Sequence, residues 1–211
     1  MTRFVLPVLA LALALALPTR AAEATPKPLD ARVAHITALL DAVRKSDRDS
    51  LANTVKYIQI VERNKCQAPE QSLRVGCVVE AAAQSCRQSA PGGAAAALRE
   101  RCILVSDVVA TNQLAEAVFL PKDVRYAIMN KYTDYRTAIA AELSRRHALL
   151  VTDFVSSAHF PGVGADTGAL ARGIDGYCRE VAGKERLSWQ YCVAAAVWFI
   201  GTDGGITESR R

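Results

Sequence analysis

The chain has 211 residues, 51% of them hydrophobic, with 26 basic against 21 acidic side chains for a net charge of +5. That excess is mild and scattered. The densest basic clusters, Arg99/Arg101, Arg145/Arg146 and Arg210/Arg211, are only pairs, which argues against a nucleic-acid partner, since such binders gather charge into a stripe.

The chain opens with Arg3 ahead of an apolar run from Phe4 to Leu17, interrupted only by Pro7 and closed by Pro18. A positive start, a short apolar stretch of about 14 residues and small residues after it predict a cleavable signal peptide rather than a membrane anchor. Ala22-Glu23-Ala24 best fits the cleavage rule, so residues 1–24 are predicted to leave, with no transmembrane segment remaining. Arg3, Arg20 and Glu23 go with them, leaving 24 basic and 20 acidic residues on a 187-residue chain. That length supports one domain with a real core, predicted over 25–204, with 205–211 as a flexible tail.

After an extended lead-in, Leu29, Val33, Ile36, Leu40 and Val43 recur at helical spacing, with Asp30 a candidate cap. Ser46 to Asp49 reads as the turn to a second helix carrying Leu51, Val55, Ile58 and Val61, ending near Cys66. A third helix is predicted from Pro69 to about Gln88. Beyond the Ala90-Pro91-Gly92-Gly93 break, a fourth carries Leu98, Cys102, Val105, Val109 and Leu114 to about Phe119. From Pro121 one long fifth helix is predicted through Val124, Ile128, Tyr132, Tyr135, Ile139, Leu143, His147, Leu150 and Phe154, about eight turns. His159 to Gly168 reads as a glycine-rich loop, with Asp166 or Thr167 capping the sixth helix, and Arg186 to Ile200 forms the seventh. No segment alternates with period two between hairpin signals, so the prediction is all-α: a single-domain bundle of about seven helices.

The six cysteines, Cys66, Cys77, Cys86, Cys102, Cys178 and Cys192, form an even set in a chain predicted to be exported, which reads as disulfides. None forms a C-x-x-C pair, so a dithiol redox centre, a haem attachment and a zinc ribbon lose their sequence support, and neither metal nor cofactor is expected. Cys77 and Cys86 lie nine residues apart on one helix, on opposite sides at about 100° per residue, and cannot join each other. The favoured pairing is local: Cys66–Cys77 and Cys86–Cys102 across the turns either side of the third helix, and Cys178–Cys192 between the sixth and seventh.

Few residues invite a chemical role. His147 shares the apolar stripe of the fifth helix with Tyr132 and Tyr135, a possible buried polar site, but no carboxylate on that stripe orients it and no nucleophile stands at a signature spacing. Gly162 to Gly168 has the composition of a phosphate loop, yet it follows a helix and places Asp166 where an anion would sit. Among the aromatics of the last helix, Trp189 and Tyr191 stand near its polar start and are the candidates for a partner-binding surface, while Trp198 lies among apolar neighbours. The segment Gly176-Tyr177-Cys178 through Cys192-Val193 to Phe199-Ile200-Gly201 resembles the disulfide-linked helical pair of small periplasmic immunity proteins, over under a fifth of the chain. The rest departs from those proteins in length and cysteine layout. The expectation is a non-catalytic helical binder of an envelope or secreted protein, in an adaptor, inhibitor or immunity role, with no transmembrane segment. The alternative is an enzyme or small-ligand or lipid carrier with a site between helices around His147.

Overall fold

The last helix decides the arrangement, because from Tyr191 to Val197 every residue is buried and Ile200 extends the series. A helix apolar on all sides needs neighbours on all sides. The computed structural model describes residues 28–68, 70–89, 95–113, 122–131, 133–162, 164–182 and 186–202. These hold eight helices: α1 (Pro28–Arg44), α2 (Arg48–Lys65), α3 (Gln71–Ser89), α4 (Ala95–Gln113), α5 (Lys122–Lys131), α6 (Tyr135–Ser156), α7 (Thr167–Ala182) and α8 (Arg186–Thr202). No strand is present among the described residues. The fold is an all-α bundle. The predicted signal peptide, the end of the fourth helix beyond Gln113 and the predicted tail lie outside the described residues.

Around α8 pack α1, α4, α6 and α7, with α1 also against α4 and α7. The alanines at 194–196 let these neighbours come close. At Gly201 the approach is closer still, since a Cβ there would lie 2.6 Å from Val43 Cγ1 on α1. Helices α2 and α3 form an outer layer that leans on α4, while α5 packs on α6. All three bridges have the predicted partners: Cys66–Cys77 joins the end of α2 to α3, Cys86–Cys102 joins α3 to α4, and Cys178–Cys192 joins α7 to α8.

Two boundaries differ from the sequence reading, both for local reasons. The single long fifth helix is two helices, α5 and α6, because Asp134 leaves the helical path and its carboxylate accepts hydrogen bonds from Thr137 N at 3.0 Å and Thr137 Oγ1 at 2.6 Å. An aspartate cap satisfies backbone donors that would otherwise be orphaned, and it outweighs the continuing apolar period. Asp30 does not cap α1. The helix already begins at Pro28, a residue suited to a first turn, which places Asp30 inside that turn. The capping device recurs at Asp166, where it was expected, accepting from Ala169 N at 2.6 Å, and at Asp47 in the turn before α2, accepting from Ser50 N at 2.8 Å.

α7 carries the loop of residues 157–166 on a floor made by two glycines one turn apart. A Cβ at Gly176 would lie 2.6 Å from His159 Nδ1, and one at Gly173 would drive into the His159 carbonyl oxygen. The second clash is with backbone, which has no free rotamer to yield. Gly173→Ala is therefore expected to cost about 2–3 kcal/mol by overpacking. Urea unfolding of the oxidised variant measures it, and a loss below about 0.5 kcal/mol, within the range of ordinary surface substitutions, would show that the loop is not seated there.

Candidate functional site

His147 lies on α6 facing α8, 4% exposed, with its ring edge-on to Phe199 at a centroid distance of 5.6 Å. Loss of hydration pulls its pKa down from 6.5 to about 4, so the imidazole is neutral near pH 7. Tyr132 lies outside the described residues and the side chain of Tyr135 is not described, so the expected grouping with His147 falls outside them too. Because His147 binds its proton more weakly in the folded chain than the ordinary value of 6.5, the unfolded state takes up protons first as pH falls. The stability it supplies is complete above about pH 6.5, declines as pH drops towards 4, and declines no further below that. The shift corresponds to about 3 kcal/mol across that window. His147→Gln is expected to lower stability at pH 7 and to flatten the curve between pH 6.5 and 4, as measured by denaturant unfolding at stepped pH. An unchanged slope would mean that His147 is hydrated.

The last helix corrects the reading of Tyr191. Its side chain is fully enclosed, and burial pushes the hydroxyl pKa up against the opposing pull of Arg74. The polar residues at 186–190 suggested a solvent face, but α8 is surrounded from Tyr191 onward, and Tyr191 is a core residue rather than a surface anchor. Trp189 is half-buried against the same core, and its Nε1–H meets no acceptor among the described residues.

Polar groups that the sequence did not single out come together at α7. Arg32 on α1 donates from Nε to Asp175 Oδ1 at 2.9 Å and from Nη2 to Oδ2 at 3.2 Å, a two-point pair whose carboxylate side chain is 2% exposed. Further along the helix, Glu180 Oε2 lies 2.7 Å from His159 Nε2. Tyr177 sits between, its ring 5.5 Å from Phe154, and its hydroxyl pKa is raised by burial and by the charges of Asp153 and Glu180. Between α1 and α4, Asp107 is pushed up by burial, an effect opposed by His35 and by a hydrogen bond from Thr111. Their sequence separations, 143 residues for Arg32 and Asp175 and 21 for His159 and Glu180, explain why no short motif announced them.

The loop of residues 157–166 turns through Gly162 and Gly164 at positive φ, 99° and 87°. Its helix end is occupied by the Asp166 carboxylate on Ala169 N, so the backbone donor that a phosphate would seek is already taken. No three His, Cys, Asp or Glu side chains among the described residues gather as metal ligands would. On the outside, Tyr126 and Met129, three residues apart on α5, are 50% and 48% exposed. No protein-family model, no curated protein and no solved structure matches the chain.

Proposed function

We propose that this is an exported, non-catalytic helical binding protein that acts on an envelope or secreted protein in an adaptor, inhibitor or immunity role. Three bridges in a chain with a signal-like start support export, since disulfides form and persist in oxidising compartments. No described helix is long and apolar enough to cross a membrane. The observation that carries the binding role is the contrast between a stapled interior and α5, which packs on α6 and holds Tyr126 and Met129 half in solvent. Exposed aromatic and methionine side chains at helical spacing suit a partner surface, and a rigid frame lowers the ordering cost of association. Trp189 remains a second contact candidate, whereas Tyr191 is withdrawn to the core. Burial of His147 against Phe199 favours a structural part for it and takes support from an active or ligand site built around it.

The test is capture of partners from envelope and secreted fractions on the oxidised mature protein, followed by titration of the retained protein. Saturable binding that weakens about tenfold or more in Tyr126→Ala/Met129→Ala, a loss typical of interface anchors, with an unchanged melting temperature, is the expected result. Absence of any saturable protein ligand, together with turnover of a small molecule, would replace this reading with the enzymatic one.

A further inference from the structure

We propose that α3 is a redox-releasable helix: a dithiol reductant opens Cys66–Cys77 and Cys86–Cys102 ahead of Cys178–Cys192, freeing α3 while the bundle around α8 stays folded. The bridges divide by exposure. Each outer bridge pairs one buried cysteine, Cys66 or Cys86, with one exposed cysteine, Cys77 or Cys102, whereas Cys178 and Cys192 are both buried in the core. Thiol exchange needs an attacking thiolate to reach a sulfur, so access sets the order.

The step is balanced as follows. A reductant thiolate attacks Cys77 Sγ, the S–S bond breaks and Cys66 leaves as a thiolate. The second thiol of the reductant then attacks the mixed disulfide, releases Cys77 and closes the reductant into its own disulfide. Two electrons pass to the bridge, and two protons follow to the protein thiols. The same sequence runs at Cys102, with Cys86 leaving.

What α3 loses is a covalent tie to each of its two neighbours. Among its described side chains Val78, Ala82, Ala83 and Cys86 are buried, with Val75, Val79 and Ala81 partly buried against the core. It lies in the outer layer beside α2 and α4, while α1, α4 and α7 pack around α8 without it. Both of its cysteines are bridge partners, so the two outer bridges tie it to neighbours on both sides.

The test uses the oxidised wild-type protein in native buffer with dithiothreitol, alkylated at intervals and mapped by mass, with hydrogen exchange run alongside. Cys66, Cys77, Cys86 and Cys102 are expected to label at least about tenfold faster than Cys178 and Cys192, as access-controlled exchange requires. Amides of α3 should lose protection while those of α8 keep theirs. Opening of Cys178–Cys192 at a comparable rate, outer bridges that yield only with global unfolding, or an α3 still protected after both have opened would overturn it.

Discussion

Arg32→Ala is expected to destabilise the protein by about 3 kcal/mol, because it leaves the buried carboxylate of Asp175 without its guanidinium. The side chain of Asp175 is 2% exposed and that of Arg32 is 32% exposed, so the cost falls at the lower end of what a broken interior pair exacts. The pair ties α1 to α7 on the flank of α8, where the two helices already pack on each other and both contribute to the core, Ile36 and Leu40 from α1 and Ala171 and Ile174 from α7. A double replacement, Arg32→Met with Asp175→Leu, removes both charges and is expected to recover most of the loss. Chemical unfolding of the oxidised wild type, Arg32→Met, Asp175→Leu and the double variant gives the coupling. A single-mutant loss under about 1 kcal/mol, the level of a surface pair, would show that water reaches Asp175 in the folded chain.

Removal of Cys178–Cys192 as a paired alanine variant is expected to cost about 3 kcal/mol from loop closure, lowering the melting temperature by about 10 °C. The sequence separations of the three bridges are 11, 16 and 14, and over that range loop closure alone gives nearly the same figure for each. What separates them is setting. Cys178 and Cys192 pack between α7 and α8 among core side chains, so their replacement also leaves unfilled volume, and this variant is expected to be the least stable of the three. Equal losses at all three bridges would mean that chain entropy is the whole of their contribution.

The disulfide pairing was legible because each bridge joins consecutive helices across one turn, so helical phase and turn position were enough to choose partners. The core stripe of α1 was equally plain, from Ile36 through Val43. Less legible were features in which a short-range polar signal overrides a long apolar one. Asp134 and Thr137 end one helix and begin another inside an unbroken hydrophobic period, and the D-x-x-T spacing was the only mark of it. Tyr191 was misplaced because polarity in the first turn of α8 says nothing of the four helices that surround the following turns. The Arg32–Asp175 pair, the His159 loop on Gly173 and Gly176, and the Asp107 seam depend on tertiary approach, which one sequence does not encode in any local pattern.

The proposed role presupposes export followed by oxidative folding, and one intact-mass measurement on protein recovered from the producing cells tests both together. The expected mass is that of a chain beginning at Thr25 and lighter by six hydrogens, one for each of the six cysteines. A species that still begins at Met1, or one that carries six free thiols in its native compartment, would contradict the account.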